Sequence, residues 1–466
     1  MLSEDILYLP VRELGKRLRT KQISPVELTE SYLARSEKVG AGLNAYATLT
    51  RELALEQARA AEKEIAGGHV RGPLHGIPYA AKDLLAVKGY PTTWGAKPYA
   101  EQKFDFNAAV IERLDRAGAI LIGKAAMIEL AGGMNYRFAA ASLTGPAKNP
   151  WNPGCWTCGS SSGSGAIAAA ALAAFAIGTE TWGSILCPSG YCGVTGLRPT
   201  FGRVSRYGAM ALAYSQDKIG PMGRTADDCA TVLAAIAGHD RMDRGSLPPA
   251  EAAFAYPSPA AMLLRIGWLT NAWKKIEPEI ETATKEAIEE LKRRGAKVSA
   301  AQLPEGPFEA AAGTIVAVEA AAAFRNLIES GRVAELADPL GQINGYVYET
   351  IAASDYMLAL QIRGVCQRKI DELFDDFDVV AAPTLPIAAT PIETNLEKDL
   401  NFPDPAGGIG NLCGLPAVSV PCGFTSAKLP IGLQFMARAR NDRAVVAAAN
   451  LFQQSTEWHL KRPAIE

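Results

Sequence analysis

Residues 158–200, CGSSSGSGAIAAAALAAFAIGTETWGSILCPSGYCGVTGLRPT, constrain what this chain can fold into more than any other stretch. A loop of serines and glycines, Ser160 to Gly165, runs into an alanine-rich apolar segment from Ala166 to Ile177, and a second glycine-containing loop, Gly178 to Ser184, follows. Read as one buried segment joining two serine-bearing loops, the pattern predicts a pair of hydroxyls held near each other inside a core. The apolar run has twelve residues, too few to cross a bilayer, which takes about 20.

The flanking segments supply a large core, and 466 residues of α/β type often form one domain. With 47 basic and 49 acidic residues, the net charge of -2 gives no electrostatic pull towards nucleic acid or an anionic membrane. The N-terminus, MLSEDILYLPVRELGKRL, lacks the basic-then-apolar order of a secretory signal. Eight cysteines are too sparse for a disulfide scaffold and fit a reduced, cytoplasmic setting.

Along the chain, the first seventy residues read as helices. Ser24-Pro25-Val26-Glu27 carries the cap, first-turn proline and glutamate of a capping box, and a second helix, Arg51 to Ile65, stops at Gly67-Gly68. A strand-like piece ending at Lys82, a helix over 108–117 and a strand over Ala119 to Ile122 begin an alternation that predicts a mostly parallel or mixed sheet with helices on both faces. Pro-rich 247–259 is the best linker candidate. Beyond it come a strand at Arg265 to Leu269, a helix at Glu277 to Arg294, an alanine-rich helix at 309–324, a strand at Asp378 to Ala382, a final strand pair at Val418 to Val420 and Leu429 to Phe435, and a last helix capped by Asp442. The expected organisation is one domain over 1–466: helices in 1–70, a catalytic core in 71–245, a peripheral helical section at about 260–375, and a closing sheet and helix in 376–466.

Which groups could do chemistry? The four histidines, at 69, 75, 239 and 459, have no metal-ligand spacing. Cys155 and Cys158 form a lone CxxC without a second pair, so no metal and no cofactor is expected. A Gly-x-Ser-x-Gly elbow with its partners, a phosphate loop and a dinucleotide fingerprint are all missing. What remains is serines plus a lysine. A serine hydroxyl needs a base near neutral pH, and lysine serves only when burial depresses its pKa; Lys82 closes the apolar piece Ile77-Pro78-Tyr79-Ala80-Ala81.

Three segments in this order, GPLHGIPYAAKD at 72–83, CGSSSGSG at 158–165 and GTETWGSILCPSGYCGVTGLRPT at 178–200, resemble the amidase signature family, whose enzymes hydrolyse amides through a Ser, cis-Ser, Lys triad. Ser160 and Ser184 stand 24 residues apart, as the family's two catalytic serines do. The likeness extends from the helices over 26–65 to Gly414-Leu415-Pro416-Ala417-Val418-Ser419-Val420-Pro421. It implies Ser184 as nucleophile, Ser160 as a relay with a cis peptide, Lys82 as base, and the backbone N–H groups of Thr181, Trp182, Gly183 and Ser184 as an oxyanion hole.

The chain departs from the family's common Gly-Thr-Asp-Thr-Gly-Gly-Ser-Ile-Arg at three positions: Glu180, Trp182 and Leu186. Leucine cannot take the bidentate carboxylate contact that arginine would supply there. The expectation is therefore a hydrolase of neutral or apolar amides, among them aryl amides, peptide amides and carbamates, with ester cleavage as a side activity and Met134, Trp182 and Leu186 lining the pocket. Its expected partners are a small-molecule amide and water, without nucleic acid or membrane, in a monomer or homodimer. The alternative is the amidase-like subunit of a tRNA-dependent amidotransferase; keeping Lys82, Ser160 and Ser184 together disfavours a silent scaffold.

Overall fold

The computed structural model describes residues 1–257, 263–399 and 402–465. Its organising element is one mixed sheet of eleven strands. In spatial order these are Tyr46–Leu49, Ile120–Ala125, Pro78–Lys82, Phe175–Glu180, Lys218–Gly223, Thr195–Arg198, Ala417–Phe424, Pro430–Met436, Val379–Pro383, Arg265–Leu269 and Lys297–Ala301. Parallel pairing at Ile120–Ala125/Pro78–Lys82/Phe175–Glu180 and at Val379–Pro383/Arg265–Leu269/Lys297–Ala301 flanks an antiparallel centre. Strands in the interior, such as Pro78–Lys82, Phe175–Glu180 and Pro430–Met436, are buried at every residue, as expected where helices cover both faces. The edge strands Tyr46–Leu49 and Lys297–Ala301 are partly open.

Local signals in the sequence account for many elements. Ser24 accepts the Glu27 N–H at 3.1 Å with Pro25 in the first turn, which starts the helix Pro25–Arg35. Arg265–Leu269 and the helix Pro278–Arg293 fall where periodicity places them, and Ala417–Phe424 pairs antiparallel with Pro430–Met436.

Three expectations change. The apolar stretch 166–177 is two elements: the helix Ser162–Ala169, a turn in which Ala171 has φ +50°, and the strand Phe175–Glu180. Alanine carries no periodicity of its own, so a fully buried helix and a fully buried strand look alike in composition. Asp442 is not the cap of the last helix, Asp442–Gln453; Asn441 holds that position. The Asp442 carboxylate turns inward instead, accepting from Thr200 N–H at 2.8 Å and Oγ1 at 2.7 Å and pairing with Arg203 at 3.0 Å. The Pro-rich stretch is no free linker over its described part: Pro249–Ala252 is a short helix, Ala252 and Phe254 are buried, and Arg203 donates to the Ala253 carbonyl at 3.2 Å. Residues 258 and 259 of that stretch lie outside the described residues.

The strand order positions the site. Lys82 ends one interior strand, Glu180 ends its parallel neighbour, and Lys218 opens the next strand opposite Glu180, so all three meet at the same end of three adjacent strands. The helix Ser162–Ala169 packs tightly there. A Cβ on Gly163 would come within 3.0 Å of backbone atoms of Ala45 and Ala126, whereas one on Gly313, in the helix Phe308–Ala323, would meet nothing within 4 Å. Gly163→Ala should therefore lose about 1–3 kcal/mol by overpacking in spite of its helix propensity, and Gly313→Ala should gain about 0.5–1 kcal/mol. Urea midpoints of the two variants check the opposite signs.

Candidate active site

Lys82 is fully buried and its amino group touches only hydroxyls: Ser160 Oγ at 2.7 Å, Thr179 Oγ1 at 2.9 Å and Ser161 Oγ at 3.0 Å. Burial lowers its pKa to about 7, against the weaker pull of Asp217 and Glu180 in the other direction. Hydrogen counting then assigns the bonds. Ser161 donates its own hydrogen to the Thr179 carbonyl at 3.1 Å, so towards Lys82 it accepts. A neutral amine has two N–H bonds and one lone pair. With Ser161 taking one N–H, counting leaves the lone pair to accept from either Ser160 or Thr179, and the shorter contact, Ser160 at 2.7 Å, is assigned to it.

The two serine loops are joined through backbone. Ser161 N–H donates to the Ser184 carbonyl at 3.3 Å, Ile128 N–H donates to the Ser160 carbonyl at 3.2 Å, and the Gly159–Ser160 peptide is cis. Ser184 is 7% exposed, and its hydroxyl makes no hydrogen bond among the described residues. Glycine at 183 has φ +78°, a region in which a Cβ is penalised. The N–H groups of residues 181–184 have no acceptor among the described residues, which leaves a row of donors beside Ser184.

Glu180 holds this loop in place. One carboxylate oxygen accepts the N–H groups of Ile185 (2.8 Å) and Leu186 (3.0 Å), at the start of the helix Leu186–Cys192. The other accepts from Arg198 at 2.6 Å and Asn411 at 3.1 Å. Burial by itself would raise the Glu180 pKa; the charges of Arg198 and Lys218 and these hydrogen bonds outweigh it and bring it down to about 2. The extra methylene relative to aspartate thus reaches a fully satisfied buried ion pair. On the other side, Asp217 accepts from Thr181 Oγ1 at 2.5 Å and from Leu212 N–H at 2.8 Å.

The three residues expected to line a pocket sit elsewhere. Trp182 donates its indole N–H to Asp404 at 2.9 Å and packs with the buried Leu186 in a second apolar cluster. Met134 is buried under the helix Gly341–Tyr348, where its carbonyl accepts from Asn344 at 3.0 Å. The cavity beside Lys82, about 480 Å³, is walled instead by Leu84, Met210, Leu212 and Ile219, with Thr179 and Thr181 at its inner end. Ser161 and Thr179 lie inside the quoted motifs but are not singled out there, and Asp217 and Lys218 lie outside them; the start of the strand Lys218–Gly223, opposite Glu180, brings the last two to the site.

Comparison with known proteins follows the same lines. The family model described as amidase matches residues 27–446. The chain is 35% identical to the A subunit of a glutamyl-tRNA(Gln) amidotransferase of Cupriavidus taiwanensis, over 97% of this chain and 98% of that protein. The structure of native peptide amidase from Stenotrophomonas maltophilia superposes with a TM-score of 0.85 at 30% identity, covering 98% of each chain. That of the glutamyl-tRNA(Gln) amidotransferase A subunit from Thermotoga maritima gives 0.82 at 25% identity, covering both chains fully. The amidotransferase names stand against the expectation of a lone chain without nucleic acid, since those relatives are named as subunits of a tRNA-linked enzyme. Family match, sheet and site agree: the chain belongs to the amidase signature family of amide C–N hydrolases.

Proposed function

We propose that this chain is a serine amidase that cleaves neutral or apolar amides, such as aryl amides, peptide amides or carbamates, through an acyl-enzyme on Ser184. The observation that carries the reading is the buried Lys82 amino group in hydrogen-bond contact with Ser160. In the forward step Ser184 Oγ attacks the carbonyl carbon and gives its proton to Ser160, which passes its own to Lys82. The N–H groups of residues 181–184 receive the charge that develops on oxygen, an interaction worth about 10²- to 10³-fold per donor in comparable sites. Collapse breaks the C–N bond as the proton returns through Ser160 to the leaving nitrogen, so the amine departs neutral. Water then attacks the Ser184 ester by the same relay and releases the acid. No cofactor or metal enters this sequence, and ester or urethane cleavage follows from the same acyl chemistry.

Leucine at 186 supports the neutral acyl preference, because it offers no cation to a substrate carboxylate. Eight free cysteines support a reduced, cytoplasmic setting, and no helix among the described residues is long and apolar enough to cross a membrane. A second reading, the amidase-like subunit of a tRNA-dependent amidotransferase, is favoured by the 35% identity to a protein of that name along nearly the whole chain. Leucine in place of the family's common arginine at 186 counts against this second reading. Turnover of a neutral anilide by the purified chain, eluting as monomer or homodimer, supports the stand-alone enzyme; turnover only of glutamine, and only with added subunits, supports the other.

Two outcomes test the mechanism. A fluorophosphonate should label Ser184, located by peptide mass, and Ser184→Ala should lose at least about 10³-fold in kcat with an unchanged melting temperature; wild-type turnover in that variant rejects the acyl-enzyme. Lys82 works as the free amine, which is depleted below its pKa and filled above it. The value of about 7 therefore makes kcat/KM rise through neutral pH to an alkaline plateau. A flat profile from about pH 5.5 to 9 contradicts lysine as the base.

A further inference from the structure

The cavity of about 480 Å³ lies on the lysine side of the triad: Thr179, which hydrogen-bonds Lys82, and Thr181 form its inner end. On the serine amidase reading, the leaving nitrogen must face the groups that protonate it, Ser160 and Lys82. The amine half of the substrate therefore projects into this cavity and the acyl half lies away from it. The walls are apolar, from Leu84, Met210, Leu212 and Ile219.

Charge is divided along its length. The inner end holds Asp217, whose carboxylate faces Thr181, and Lys218, whose amino group is buried without a hydrogen-bond partner among the described residues. The rim holds three arginines. Arg206 is committed to Asp243 at 2.8 Å and lies over the Tyr214 ring at 4.7 Å. Arg241 and Arg244 are exposed and form no ion pair among the described residues. An anion at the inner end would meet Asp217 as well as the Lys218 amine, which burial shifts towards its neutral form, whereas one at the rim meets two free guanidiniums.

We propose that the cavity is a leaving-amine subsite for amines that bear a carboxylate at the far end of an apolar spacer, with Arg241 and Arg244 recognising that carboxylate. The site thus distinguishes the two halves of its substrate: an uncharged acyl group on the side away from the cavity, and an acidic amine such as an ω-amino acid within it.

The test pairs N-benzoyl ω-amino acids of three to eight carbons with N-benzoyl n-alkylamines of equal length. The acids should be preferred in kcat/KM by roughly three- to tenfold at low salt, through KM, with an optimum at one spacer length and a preference that shrinks as salt screens the rim. In an Arg241→Ala/Arg244→Ala variant the ratio of acid to alkylamide should fall to about one, and Arg241→Glu/Arg244→Glu should invert it. Equal kcat/KM for both series in the wild-type protein, or equal losses for both series in the alanine variant, overturns the proposal. If neither series is cleaved, the amidase reading stands or falls on fluorophosphonate labelling of Ser184. Calorimetry of hexanoate against hexanol on Ser184→Ala then decides the subsite: hexanoate binding that the alanine pair abolishes supports it, and no preference for hexanoate overturns it.

Discussion

Everything at this site depends on burying one amino group where only hydroxyls can meet it. A lysine taken fully out of water loses the hydration of its charge, and an uncompensated charge there would cost several kcal/mol. The partners of Lys82 are Ser160, Ser161 and Thr179, all able to accept a hydrogen and one free to turn its own around. As ammonium the group can donate to all three; as amine it donates to two and accepts from Ser160. The cage is satisfied in both states, so a proton can arrive and leave without any side chain moving. The carboxylates that would fix the charged state, Glu180 and Asp217, are kept busy with Arg198, Thr181 and backbone N–H groups.

Much of this was legible in the residues. Lys82, Ser160 and Ser184 sit in three motifs whose order and spacing mark them, and the sheet was legible wherever a strand was bounded by glycine, proline or charge, as at Arg265–Leu269. The stretch 166–177 was not, because a run of alanines hides the change from helix to strand. Nor were the contacts of Asp217 and Lys218. Their roles come from register between antiparallel neighbours, Glu180 opposite Lys218, and register is decided by contacts far apart in sequence.

Side-chain direction was the least legible property. Trp182 and Leu186 flank the nucleophile in sequence, and proximity suggested pocket walls. The positive φ of Gly183 reverses the chain between them, and both side chains go to the cluster behind the loop, where Asp404 takes the indole N–H.

The carboxylate of Glu180 binds Arg198 and Asn411 at once, and the strands Ala417–Phe424 and Pro430–Met436 lie between Thr195–Arg198 and Val379–Pro383. All three groups of the triad are synthesised before residue 185, yet the clamp that shapes the nucleophile's loop is completed only by the closing segments of the chain. On the proposed mechanism, a chain truncated before residue 411 would keep Lys82, Ser160 and Ser184 but lose the Asn411 contact to Glu180 and the strands that lie beside Thr195–Arg198.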